Sequence, residues 1–86
     1  MADPVLVPCP ANQWTKVATG VSTGQLWKQK TDLEYWTTYR ATTNPAPTDL
    51  SDAQPWVGQS AKISAPSAID VYVYPKKKAG SVRVDL

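Results

Sequence analysis

The chain ends in the stretch AIDVYVYPKKKAGSVRVDL, residues 68–86, which carries its clearest repeating pattern. From Ile69 to Tyr74, β-branched residues alternate with polar or amphipathic ones. This period of two is typical of a β-strand with one buried face. The alternation resumes at Ser81, after a loop that contains a glycine. Because loops of this length commonly join paired antiparallel strands, the stretch predicts a C-terminal hairpin.

The same alternation predicts the face that each of these two strands turns to the core, because every second side chain of a strand points the same way. The predicted core face carries Ile69, Val71, Val73, Val82, Val84 and Leu86. In the connecting loop, Gly80 is expected to adopt a positive φ. The lysines at 76–78 are expected to keep an exposed tip soluble and to protect the sheet edge.

Upstream segments have a similar composition and give the remaining strands. Predicted strands cover residues 14–18, 24–29, 34–42 and 60–64. A polar loop at 19–24 and a bend at 65–68 are expected to separate neighbouring strands. The proline-rich residues 1–12 are expected to form an N-terminal arm or an edge strand, because proline cannot donate a hydrogen bond to a central ladder.

Residues 43–59 form the longest piece without strand character, and they are expected to be a long crossover loop. The eight prolines of the chain argue against long helices, and its 86 residues suit one domain with a thin core. The sequence therefore predicts one all-β domain over residues 1–86. Its expected architecture is a small antiparallel β-sandwich or barrel of about six to seven strands.

The residue types needed for catalysis are scarce, and we expect no enzyme, no catalytic residue, no metal site and no cofactor. The chain has no histidine, which is the commonest general base and metal ligand. Its single cysteine, Cys9, has no neighbouring cation to activate it. The pair Asp49 and Asp52 lacks the alternating oxygen ligands of a calcium loop, and solvated carboxylates that cap turns are the favoured interpretation.

The sequence shows no targeting signal, and its net charge is small. The N-terminus lacks the basic and apolar regions of a secretory signal, and no apolar run is long enough for a membrane span. We therefore expect a soluble protein that begins at its own initiator Met. The net charge of +2 does not favour a nucleic-acid or membrane partner.

Protein–protein contact is the favoured use of the surface, because the four tryptophans exceed what a small core can hold. Trp56 and one strand tryptophan are expected to be partly exposed; the alternative is that all four cover a thin core. Aromatic residues with few charges nearby are typical of an interface. The candidate interface residues are Val5, Val7, Trp36, Leu50, Trp56, Tyr72 and Tyr74.

The order and style of these segments resemble the small β-sandwich virion proteins of tailed bacteriophages, of the capsid decoration (cement) or head-fibre type. The resemblance covers roughly Trp14 to Leu86. It lies in the segments WTKVATGVSTGQLWKQ (14–29), YWTTYRAT (35–42), APTDLSDAQPW (46–56), ISAPSAIDVYVYP (63–75) and GSVRVDL (80–86). It implies a dimer or trimer, bound to the major capsid protein or another virion protein on the capsid surface. Such virions assemble in the host cytoplasm, and the family has no catalytic residues.

Other functions stay open from the sequence. A tail, collar or receptor-facing virion component would have the same composition. A small single-stranded nucleic-acid binder would use Tyr72 and Tyr74 for stacking and the lysines at 76–78 for phosphates. A carbohydrate-binding sandwich would use exposed tryptophans as platforms.

Overall fold

The computed structural model describes residues 5–28, 34–43, 45, 47–48, 50–51, 53–56 and 58–85. Over these residues the chain forms strands and no helix, and the all-β fold class predicted from the sequence is confirmed. None of the described residues belongs to a helix that could cross a membrane. The strands are β1 Val5–Cys9, β2 Thr15–Lys28, β3 Tyr35–Ala41, β4 Gln54–Pro55, β5 Ser60–Pro75 and β6 Gly80–Asp85.

All six strands belong to one antiparallel sheet, in the order β1-β6-β2-β5-β3-β4. The expected loop at 19–24 lies inside β2, and the expected bend at 65–68 lies inside β5. Both expectations were wrong because register shifts between Lys16 and Thr23 absorb the turn residues without ending the ladder.

These irregularities divide the sheet into two arms. The β3 arm consists of β4, β3, residues 69–75 of β5 and residues 15–18 of β2. The β6 arm consists of β1, β6, residues 23–28 of β2 and residues 60–64 of β5. The two long strands run through both arms, so one continuous sheet forms both sides of the domain. Bulges increase local twist and bending, which allows the arms to face each other.

A single core lies between the arms and takes side chains from both. Its members are Cys9, Val17, Ala18, Leu26, Tyr35, Trp56, Ile63, Val71, Val73, Val82 and Val84. Four of the predicted core residues of the C-terminal stretch are therefore buried, while Ile69 packs partly buried against the cluster. Leu86 lies outside the described residues.

The two C-terminal strands exist as predicted, but they do not form a hairpin. β2 lies between β5 and β6 and pairs with both. Thus residues 76–79 carry the chain from the β3 arm to the β6 arm. The sequence pattern could not exclude this arrangement, because a loop of four or five residues can join two layers as well as two paired strands.

The backbone of this connection also differs from the expectation. The positive φ belongs to Lys77, at 74°, whereas Gly80 begins β6. Gly80 is needed for a different reason, because a Cβ at this position would overlap the hydroxyl group of Tyr35. The close approach brings the start of β6 under the start of β3, and it closes the core at this end.

The structure also describes parts of the N-terminal segment and of residues 43–59. β1, within the N-terminal segment, is the outermost strand of the sheet and pairs with β6. Within the described part of residues 43–59, only Gln54–Pro55 is a strand. The chain leaves β3 in the β3 arm and enters β5 in the β6 arm, so residues 43–59 connect the two arms, and we call them the crossing segment.

Candidate functional site

The seven candidate interface residues do not form one patch. Val5 on β1 and Leu50 in the crossing segment are 57% and 42% exposed. Val7 packs against the core cluster, and Trp56 belongs to it. The remaining three, Trp36, Tyr72 and Tyr74, lie on the face of the β3 arm that points away from the core, because their neighbours along β3 and β5 face inward.

This outer face of the β3 arm holds a row of aromatic rings. Trp36 and Tyr74 are directly opposite each other across β3 and β5. On the other side, Trp14 packs edge-on against Tyr74, with ring centroids 5.3 Å apart. All three side chains are partly buried. Edge-to-face packing adds to the stability of such pairs, so these rings stabilise the outer face as well as covering it.

Tyr72 is buried on the same face, at 4% exposure. The ammonium group of Lys16 lies 5.7 Å from the centre of its ring and 3.4 Å from the carboxylate of Asp70. The negative charge of Asp70, and then the Tyr72 hydroxyl, raise the pKa of Lys16 above its ordinary value. The sequence placed Tyr72 on the correct face but could not show that its neighbours cover it.

The expectation that Trp56 is partly exposed was wrong, since it is 7% exposed. Its ring packs edge-on against Tyr35 at a centroid distance of 5.8 Å. Lys28, also 7% exposed, reaches over both rings, with its ammonium 5.2 Å from the Trp56 ring and 5.5 Å from the Tyr35 ring. That ammonium donates a 2.5 Å hydrogen bond to the Trp56 carbonyl.

Lys28 is a buried cation, and no ion pair with a described carboxylate holds it. Burial lowers the pKa of its ammonium group below the ordinary lysine value. The two aromatic faces and the Trp56 carbonyl replace part of the lost hydration. No local sequence pattern signals this contact, because Lys28 is 28 residues from Trp56.

A cleft of about 350 Å³ lies beside this cluster at the β3–β4 edge. Its walls are aromatic side chains and proline, and its rim includes one carboxylate: Glu34, Tyr35, Trp36, Pro55 and Trp56. The Glu34 carboxylate lies 3.8 Å from the Lys76 ammonium, and both side chains are largely exposed. Clefts with such walls suit flat apolar groups.

The β6 arm has its own outer face, which sequence reasoning missed. Leu6, Arg83 and Trp27 lie side by side across β1, β6 and β2. The Arg83 guanidinium lies 6.0 Å from the centre of the Trp27 ring. Leu6 is 58% exposed. The alternation along β6 could have identified this face, because Val82 and Val84 point into the core and Arg83, between them, points away from it.

Asp85 completes this second group. Its carboxylate accepts hydrogen bonds from the Trp27 indole at 3.0 Å and from the Arg83 guanidinium at 3.0 and 3.3 Å. The hydrogen bond from Arg83 is the largest cause that lowers the pKa of Asp85, and it raises the pKa of Arg83 in turn. The cation and the anion are therefore held in one fixed arrangement on the surface.

Reactive groups are few among the residues that the structure describes. Cys9 is buried, and burial raises the pKa of its thiol to about 11. No group of three or more His, Cys, Asp or Glu side chains within the described ranges could hold a metal ion. The candidate pair Asp49 and Asp52 lies outside these ranges.

Comparison with known proteins adds no relative: no family model, no curated protein and no solved structure matches this chain.

Proposed function

We propose that this protein is a non-enzymatic structural component of a phage virion that decorates or cements the capsid through protein–protein contacts. One observation carries the proposal: large apolar side chains are exposed on two separate segments that border the sheet. Val5 is 57% exposed on the outermost strand, and Leu50 is 42% exposed in the crossing segment. Apolar patches with a polar rim are typical of contact surfaces.

The N-terminal strand and the crossing segment would then carry much of the contact with the major capsid protein or another virion protein. Both segments reach a border of the sheet, through β1 and β4, and their exposed Val5 and Leu50 side chains are not members of the core cluster. The protein would act as a homo-oligomer repeated over a symmetric particle. The resemblance described for residues 14–86 supports the same proposal.

Co-sedimentation with expanded capsids of the encoding phage tests this function. Wild-type protein is expected to pellet with the particles, and the double variant Val5→Ser/Leu50→Ser is expected to pellet at least about tenfold less. Lys77→Ser, at an exposed site in the 76–79 connection, is the matched control. Wild-type protein that stays in the supernatant at every capsid concentration would overturn the proposal.

A tail, collar or receptor-facing position in the virion is the main alternative, and the location of the protein on the particle by electron microscopy distinguishes it. Single-stranded nucleic-acid binding has less support, because the Tyr72 ring is buried and is not presented for stacking. A salt-dependent mobility shift with short oligonucleotides would favour that activity, whereas the capsid proposal expects no shift.

A further inference from the structure

We propose that the outer face of the β6 arm is a two-fold interface between two copies of this chain. The surface is formed by Leu6, Trp27, Arg83 and Asp85, and we call it the β6 patch. This inference deepens the proposed function, because it assigns a surface to the homo-oligomer which that proposal expects. It leaves the capsid contact to Val5 and Leu50.

The composition of the β6 patch is that of an interface. Tryptophan and arginine are the residue types most enriched among those that dominate binding energy, and the exposed Leu6 adds apolar area beside them. On the opposite arm, by contrast, Asp70 and Tyr72 are buried under their neighbours. The outer face of the β6 arm is therefore more exposed at its charged and apolar groups than the outer face of the β3 arm is at Asp70 and Tyr72.

The β6 patch is also ordered before it binds. The Asp85 carboxylate joins Trp27 and Arg83 through hydrogen bonds of 3.0 to 3.3 Å, and the guanidinium lies over the indole ring. Arginine side chains lose considerable rotamer freedom when they are fixed. Because part of that loss has already occurred on folding, association costs less conformational entropy.

The charges identify the partner as a second copy. Arg83 and Asp85 are two positions apart on β6, on the same face, with opposite charge. A two-fold axis that lies above the outer face and crosses β6 at right angles, level with residue 84, places Arg83 of one copy against Asp85 of the other, and the reverse pair forms at the same time. Such an interface is self-complementary by symmetry. Any other partner would have to supply the matching charges by itself.

The sheet edges favour a face-to-face contact over an edge-to-edge one. The two outermost strands, β1 and β4, contain Pro8 and Pro55. Proline has no N–H group to donate, and prolines on edge strands oppose pairing with another chain. A second copy therefore has better access to the outer face of β6, which is an interior strand of the sheet, than to a continuous hydrogen-bonding edge.

Sedimentation equilibrium on the isolated protein tests the β6 patch, over concentrations from micromolar to millimolar. The wild type is expected to form dimers reversibly. Arg83→Asp and Asp85→Arg each place like charges against each other across the axis, so each should raise the dimer Kd at least about tenfold. Lys77→Asp changes the net charge by the same amount as Arg83→Asp, and it should leave the Kd unchanged.

Mixing the two single variants gives a test that a mere loss of folding cannot imitate. An equimolar mixture of Arg83→Asp and Asp85→Arg is expected to form a heterodimer, because each charge then meets its opposite. The double variant Arg83→Asp/Asp85→Arg should dimerise again for the same reason. A monomeric wild type, or a mixture that stays monomeric while the wild type dimerises, would overturn the inference.

These results are separable from those for the capsid. If the protein is monomeric but still pellets with capsids through Val5 and Leu50, the dimer interface is wrong and the proposed function stands. If the protein forms a dimer that depends on Arg83 and Asp85 but does not bind capsids, the dimer interface stands and the proposed function is wrong.

Discussion

The backbone N–H of Gly20 donates a 2.9 Å hydrogen bond to the carboxylate of Asp70, which lies 50 residues further along the chain. Gly20 has a φ of 61°, and it lies where the register of β2 shifts against β5. Asp70 is buried next to the same irregularity. The contact ties the bulged part of β2 to β5 where the two arms diverge, and it satisfies a backbone donor that the ladder leaves free.

Loss of this carboxylate should therefore destabilise the fold. Asp70→Ala is expected to lower the free energy of unfolding by about 1–3 kcal/mol, because a part-buried N–H group loses its acceptor. Asp70→Asn keeps an acceptor oxygen and should cost less. Urea denaturation measures both. Lys16→Gln is the control: it removes the ion pair with Asp70 and the contact with the Tyr72 ring, but it leaves the Gly20 N–H with its acceptor, so it should cost less than Asp70→Ala. Equal effects at both positions would contradict this explanation.

The contact between Tyr35 and Gly80 predicts a specific coupling. Gly80→Ala should destabilise the domain by about 1–3 kcal/mol, because its Cβ would overlap the Tyr35 hydroxyl. Tyr35→Phe removes that oxygen, so the double variant should recover part of the loss. Thermal or urea unfolding of the four proteins gives a double-mutant cycle. Purely additive effects would mean that the two groups do not meet.

Cys9 should resist thiol reagents in the folded protein. It is 1% exposed, and burial raises the pKa of its thiol to about 11, so only about one thiol in a thousand is ionised at about pH 8. Alkylation with iodoacetamide is expected to be slow in buffer and fast in urea. In a Cys9→Ala background, Lys77→Cys gives an exposed control thiol that should react at once. Equal rates at the two positions would contradict the burial.

Lys28 should give the stability a defined pH dependence. Burial lowers the pKa of its ammonium in the folded state, whereas the unfolded chain keeps a value near 10.5. Between these two values the unfolded chain binds more protons, so the contribution of Lys28 to stability rises with pH and levels off above 10.5. The measurement is the unfolding free energy of the wild type minus that of Lys28→Met, followed from neutral pH upward. A difference that falls with pH would disprove the assignment.

Period-two alternation alone determined several elements of this fold. Residues 69–74 and 81–85 form strands as the pattern predicts, and Val71, Val73, Val82 and Val84 face the core. This information is local, because the direction of a side chain in a strand depends only on its position along that strand. The same rule placed Tyr72 and Tyr74 on the opposite face. The strand expected at 34–42 rested on composition instead, and the structure has it at Tyr35–Ala41.

Only the tertiary structure decided which strands pair and which side chains are covered. β2 separates β5 from β6, and the turn-like residues 19–24 continue β2 through a bulge. Trp56 and Lys28 are buried against each other, and Asp85 joins Trp27 to Arg83 across two strands. These outcomes depend on contacts between residues far apart in the chain, where the gain from burial must exceed the entropy lost on closing the loops between them. The pattern of residues within one strand does not report either the gain from burial or the entropy of loop closure, so it cannot predict these contacts.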